Sequence, residues 1–275
     1  MGRAKEIVVK VIPAKIANDF VKKHHYSGKV AFGNKVHFGV FLDNALHGVA
    51  SFGTGIVKRK TIGLVENTGW NDYLELSRLA FDDYLPRNSE SRALSVIIKL
   101  LKKHSPHVKW LLSYADGTQC GDGTIYRAAG FVLTKIGKNT SIYKLPDGNV
   151  VCDLPFEASV IADNGIKKRY GKTGEKASWS AKRFIKYIGG EQLVGHQLRY
   201  IYLIDKSCKL TVPTIPFSKI DEMGAGMYKG EKISIAERRK KAAAEETDSG
   251  VQPETGGLSP TLPLHIDEVP NGNQD

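Results

Sequence analysis

Apolar positions along the chain follow two rhythms, and the switch between them outlines a mixed fold. Ile7–Ile12 alternates weakly and predicts a strand. Pro13 then opens a helix, because proline is tolerated in a first helical turn, and Ile16, Phe20 and Val21 give it an apolar face that carries the chain to His24–Tyr26. Val36–Leu42 and Leu46–Phe52 read as two strands joined at Asp43-Asn44, a turn signal, and Asp72–Phe81 is another strand of period two. Pro86–His104 is the clearest helix. Asn88 or Ser89 can cap it, and Leu94, Ile97, Ile98 and Leu101 recur at helical spacing. Lys99, Lys102 and Lys103 crowd its C-terminal half, where the helix dipole favours cations. Val108–Ala115 reads as a buried strand, followed by the glycine-rich turn Gly117–Gly123 and a short helix, Thr124–Ala129, ended by Gly130. Val132–Lys135 and Ser141–Leu145 read as a last pair of strands.

Beyond Cys152 the character changes. Gly165–Tyr187 holds eight Lys or Arg, one acid and four aromatics, and Leu198–Asp205 alternates like a strand. From Ala236 the chain is charged and then rich in Gly, Pro, Thr and Ser, a composition that predicts disorder. The expected organisation is therefore an α+β core over residues 1–150, a layered mixed sheet flanked by helices. A basic, aromatic-containing extension over 151–235 and a disordered acidic tail over 236–275 follow it.

With 41% hydrophobic residues in 275 the chain can bury a substantial core. No apolar run approaches the roughly 18 residues a membrane span needs, and Met1–Lys10 lacks the apolar stretch of a signal peptide. Cys120, Cys152 and Cys208 are odd in number and widely spaced, which argues against a disulfide framework or structural zinc and fits a reducing, cytoplasmic setting. His24, His37 and His47 raise the question of a metal, but no paired spacing supports one, so no metal ligand is assigned and a metal requirement stays open.

Charge narrows the partners. The formal net charge is +11, yet Glu245–Asp275 carries seven acids and no Lys or Arg, so residues 1–244 have a surplus of 18 positive charges. A body this basic is drawn to a polyanion, and nucleic acid is the commonest in a cell. A membrane surface is the weaker rival, since no basic amphipathic helix with bulky apolar anchors stands out. Lys167, Lys168, Arg169, Lys182 and Arg183 are the candidate DNA contacts, with Tyr170 or Trp179 stacking on a base. The plainer reading of such a run is a solvated face.

The order strand, long helix, strand, glycine turn, short helix, Gly-Phe, strand resembles the GNAT superfamily of N-acetyltransferases, most directly in Ile125-Tyr126-Arg127-Ala128-Ala129-Gly130-Phe131. That resemblance implies acetyl-coenzyme A held between Leu74–Phe81 and Pro86–His104, its pyrophosphate at the helix N-terminus, with Tyr126 near the thiol as a general acid. Arg87-Asn88-Ser89-Glu90-Ser91-Arg92 departs from the superfamily's motif, which has small residues at the places of Glu90 and Arg92, and a glutamate repels pyrophosphate.

Taken together, the motifs point further. His25-Tyr26-Ser27-Gly28, Glu75-Leu76-Ser77-Arg78-Leu79, Pro86–Arg92, Trp110–Gly117 and Gly123-Thr124-Ile125-Tyr126 occur in that order, and the set resembles the Mom family of bacteriophage DNA-modification proteins. The resemblance covers about residues 10–145 and, more loosely, Tyr200–Lys229. It implies a GNAT-like fold that converts adenine in DNA to N6-carbamoylmethyladenine, shielding phage DNA from restriction in the host cell. It also implies functional roles for His25, Tyr26, Arg78, Ser91, Asp116 and Tyr126. Asp116 would hold the exocyclic amine, His25 accept its proton, Tyr26 or Tyr114 stack on a flipped base, Tyr126 protonate a leaving group, and Arg78 or Ser91 bind the donor. Simple acyl transfer from acetyl-coenzyme A does not yield N–CH2–CO–NH2, so the donor stays open, a glycine-derived one included. Read without the family, His25 is a polar helix end, Asp116-Gly117 a turn, Tyr126 core, and Arg78 a partner of Glu75 or Glu90. The competing functions are an ordinary N-acetyltransferase of a protein or small amine, and a DNA-binding protein without catalysis.

Overall fold

A computed structural model describes residues 3–55, 61–152, 170 and 179–248, with side chains described as far as residue 241. The chain divides into two compact units, Met1–Arg238 and Arg239–Asp275, and the sheet and the site belong to the first. Strand β1 (Val8–Val11) leads into helix α1 (Ala14–His24), whose first turn follows Pro13. Strands β2 (Asn34–Leu42) and β3 (Ala45–Gly53) form a hairpin through Asp43 and Asn44, both at positive φ, which is the conformation a tight hairpin turn demands. After β4 (Tyr73–Phe81) come α2 (Ser89–His104), β5 (Trp110–Gly117), α3 (Thr124–Ala128) and β6 (Val132–Lys144). Then β7 (Val150–Cys152), α4 (Ala181–Tyr187), β8 (Glu191–Leu203), α5 (Ser218–Glu222) and α6 (Ile235–Asp248) complete the described chain.

The strands form one mixed sheet in the order β1-β2-β3-β4-β5-β8-β6-β7, with β4 and β5 parallel and every other neighbouring pair antiparallel. The periodicity of α2 explains its seat. Leu94, Ile97, Ile98 and Leu101 lie on one stripe and pack on Leu74, Leu76, Leu111, Leu133 and Leu198 of one sheet face. On the other face Tyr73, Trp110, Leu112 and Ile201 are covered by Leu64 and Val65. Both faces of β5 are thus buried over its first half, which is why Trp110–Leu112 reads as a continuous apolar run.

Several expectations change. The two short strands read over 132–145 are one long β6, whose register on β8 shifts at Leu133/Lys135 and Asn139/Ile142. The boundary drawn at residue 150 does not separate two folding units, because β8 lies between β5 and β6. Asn88 stands at the N-cap of α2 with φ 71° and makes no side-chain cap bond, while Ser89 is wholly buried. A helix runs over Ile235–Asp248, where composition predicted disorder. Among the described residues no helix is long and apolar enough to cross a membrane.

Candidate active site

The parallel pair creates the opening. Strands β4 and β5 are paired only from Tyr73/Trp110 to Leu76/Ser113, and beyond that point β4 continues on β3 while β5 continues on β8. The C-terminal halves therefore part, which leaves a crevice at the carboxyl ends of two parallel strands, where open α/β sheets place their ligands. Asp116 stands near the end of β5, Arg78 on β4, and Tyr126 on α3.

The helix end of α1 reaches across to this crevice. His25 is the C-cap residue of α1, in extended conformation, and its N–H donates to the Val21 carbonyl. Gly28 takes φ +60°, with its N–H on the His25 carbonyl at 2.8 Å, so the chain turns away just after Tyr26 at a position that suits glycine. Tyr26 donates its hydroxyl to Asp116 Oδ2 at 3.2 Å, across 90 residues of sequence. About half of the Tyr26 surface is exposed, and its ring lies 4.3 Å from that of His25. Loss of solvent around the phenol, then the Asp116 charge, pushes its pKa well above the usual tyrosine range.

Asp116 is tethered by three donors. Oδ1 accepts the Thr118 N–H at 2.9 Å, and Oδ2 accepts Gln119 Nε2 at 2.8 Å besides the Tyr26 hydroxyl. A carboxylate offers about four acceptor positions, so one remains for a substrate N–H. The Asp116 carbonyl also takes the N–H groups of Cys120 and Gly121, which wraps the loop around this carboxylate.

His25 has a more restricted chemistry than the motif suggests. Its Nδ1 accepts the Ser27 N–H at 3.2 Å and lies 2.8 Å from the Ser27 hydroxyl, so the neutral ring carries its proton on Nε2. Burial, reinforced by the Arg78 charge, lowers its pKa to about 4. At neutral pH His25 is therefore an uncharged ring whose Nε2–H donates. Tyr126 is pushed up to about 12 by burial, against the opposing effect of a hydrogen bond with the Ser113 side chain, and so holds its proton. Its ring packs against Phe131 and Tyr200. Arg78 donates Nε to the Lys29 carbonyl at 2.7 Å and Nη1 to the Ser77 carbonyl at 2.6 Å, which fixes its charge beside His25 and Tyr26.

A family model described as the Mom protein family matches residues 6–219. The chain belongs to the Mom family. A relative from Escherichia phage Mu, called methylcarbamoylase mom, is 29% identical over 212 residues, covering 77% of this chain and 81% of that one. Among solved structures, the ribosomal-protein-S18-alanine N-acetyltransferase of Escherichia coli is similar with TM-score 0.38 and 13% identity, over 72% of this chain and 94% of that one. An N-acetyltransferase from Staphylococcus aureus Mu50 is similar with TM-score 0.40 and 9% identity, over 72% and 98%.

In this Mom-family chain the crevice gathers His25, Tyr26, Arg78, Asp116 and Tyr126. Ser91 has a local role, since its hydroxyl donates to the Asn88 carbonyl at 3.2 Å and closes the first turn of α2. That turn also tests the acetyl-coenzyme A expectation. Glu90 stands in it where a pyrophosphate needs close backbone approach and no opposing charge, so these residues do not fit the pyrophosphate. Lys182 and Arg183 are exposed on α4, with the Arg183 guanidinium 4.1 Å from the Trp179 ring centre, while Lys167, Lys168 and Arg169 lie outside the described residues. The histidines that raised the metal question have other partners. His24 stacks on Phe20, His37 lies 2.8 Å from the Ser51 hydroxyl, and His47 pairs with Asp82 at 2.9 Å. Among the described residues no group of three or more His, Cys, Asp or Glu is arranged to hold a metal. Sequence reasoning missed Ser27 and Gln119, whose only signal was their place in turns beside His25 and Asp116.

Proposed function

We propose that this chain is a transferase that modifies DNA, placing a carbamoylmethyl group on the N6 amine of adenine and so protecting the DNA from restriction. The reading rests on family membership and on the name of the phage Mu relative. The observation that carries it is Asp116, tethered by three donors with one acceptor position left, beside the exposed ring of Tyr26. The lone pair of adenine's exocyclic amine is delocalised into its ring, which makes it a poor nucleophile. An N–H bond accepted by Asp116 raises electron density on N6 and orients it. The base must first leave the duplex, and the Tyr26 ring offers a surface on which it stacks. As the new N6–CH2 bond forms, the Asp116 carboxylate takes the proton that N6 loses, and the donor's leaving group departs with the bonding pair. Tyr126, which keeps its proton at neutral pH, is the group suited to protonate that leaving group. His25 contributes the Nε2–H as a hydrogen-bond donor in this account.

The test is nucleoside mass spectrometry of plasmid DNA from cells producing the protein. The expected result is a new deoxyadenosine derivative heavier by one carbamoylmethyl group, absent with Asp116→Asn. The same plasmid should resist endonucleases whose recognition sites contain the modified adenine. Unmodified DNA from cells containing soluble wild-type protein would overturn the reading.

A further inference from the structure

The sheet face beside the crevice has a composition the proposed reaction does not use. Strand alternation puts Tyr114 on the same face of β5 as Asp116, two residues away. The register then sets Arg199 of β8 opposite Tyr114, and Lys135 of β6 opposite Arg199. Directly paired residues share a face, so one row across three strands reads Tyr114, Arg199, Lys135. By strand spacing, the Cα positions of Arg199 and Lys135 lie about 8 and 12 Å from that of Asp116. Tyr114 is 36% exposed and Lys135 is exposed. Arg199 is steadied by its Nε donating to Thr134 Oγ1 at 2.9 Å. The carboxylate that faces Tyr114 is Glu75 of β4, which burial pushes up towards its neutral form.

We propose that this row is the DNA-contact surface flanking the site. Tyr114 stacks on a base next to the target adenine, and Arg199 and Lys135 take phosphates of the same strand. The inference rests on the DNA-modification reading and adds the surface that positions the substrate. An aromatic face beside two cations, next to a carboxylate with one acceptor position left, complements a nucleic-acid strand: stacking on the base, charge on the backbone.

Fluorescence anisotropy of a labelled DNA duplex with the full chain, across a range of salt concentrations, tests it. Lys135→Ala and Arg199→Gln should each weaken binding several-fold and make the dependence of log affinity on log salt shallower by about one. Tyr114→Ala should weaken binding about tenfold while Tyr114→Phe retains it, as expected for stacking. Lys135 is exposed, so its variant should melt like wild type. Wild-type affinity and salt slope in both Lys135→Ala and Tyr114→Ala would overturn the proposal, and losses confined to Lys182→Ala and Arg183→Ala would move the contact to α4. No binding by the wild-type chain would instead remove the DNA-modification reading itself.

Discussion

At the scale of single residues, His25 shows how a fold changes the chemistry its sequence suggests. A histidine at a helix end has an ordinary pKa near 6.5, yet burial and Arg78 lower it to about 4 here. The sign of the consequence follows directly. The unfolded chain binds a proton at His25 between pH 6.5 and 4 and the folded chain does not, so this group's contribution to stability is complete above pH 6.5. It is lost progressively as pH falls to about 4. The full loss is about 3 kcal/mol. His37 and His196 are also pushed down by burial and add to the slope. Thermal melts of His25→Gln should therefore lose less stability than wild type on going from pH 7 to pH 4, and equal losses would show that His25 is not held neutral. The placement of His25 at a helix end and of Asp116 at a strand end was legible from their motifs. Their hydrogen-bond partners were not, because Ser27 and Gln119 sit in turns whose backbone geometry no periodicity encodes.

At the scale of elements, the placement of α3 sets where Tyr126, the acid of the proposed reaction, stands. Its N-cap is Gly123 at φ +86°, and a Cβ there would lie 2.4 Å from the Tyr200 ring. That ring is fully buried and its hydroxyl donates to the Asp122 carbonyl, so it has nowhere to retreat. Gly123→Ala combines the left-handed backbone penalty with overpacking and should cost about 3 kcal/mol. Gly33 also has positive φ, at +76°, but nothing lies within 4 Å of its would-be Cβ, and Gly33→Ala should cost only about 1 kcal/mol. Urea denaturation of the two variants checks the difference, and the Gly123 variant should also lose modification activity by displacing Tyr126. Elements bounded by strong periodicity, such as α2 and the β2–β3 hairpin, were readable in the sequence. The continuity of β6 was not, because its irregularities at Leu133/Lys135 and Asn139/Ile142 break the alternation that identifies a strand. The place of β8 was hidden for a different reason: its pairing with β5 joins Tyr114 to Arg199, and alternation within a strand says nothing of which strand lies beside it.

At the scale of the whole fold, one buried carboxylate ties the C-terminal segment to the loop between β5 and α3. Asp122, wholly buried, meets Arg127 Nη2 at 2.9 Å and Arg238 Nη2 at 3.0 Å. Its backbone N–H donates to the Met227 carbonyl, and the Gly230 N–H donates to the Cys120 carbonyl. Arg238 further donates Nη1 to Thr124 Oγ1 at 2.8 Å and lies over the Tyr228 ring. In sequence Asp122-Gly123 is only a turn signal, and the ion pair spans 116 residues, so no local pattern announces it. Removing the Arg238 guanidinium leaves Asp122 Oδ2 with the Met227 N–H at 3.4 Å and Arg127 as the remaining counter-charge. A buried carboxylate deprived of a partner is costly, because water cannot replace what is lost, so Arg238→Met should lower stability by about 3 kcal/mol in urea denaturation. Arg3 makes two exposed pairs, with Glu6 and Asp43, and solvent screens both, so Arg3→Ala should leave the midpoint close to wild type. A small and equal effect of the two substitutions would mean that Asp122 does not anchor the C-terminal segment. A large effect of Arg238→Met alone, with activity lost at denaturant concentrations where the rest of the sheet still resists unfolding, would mean that the segment after β8 holds the Asp116–Tyr126 loop in its working position.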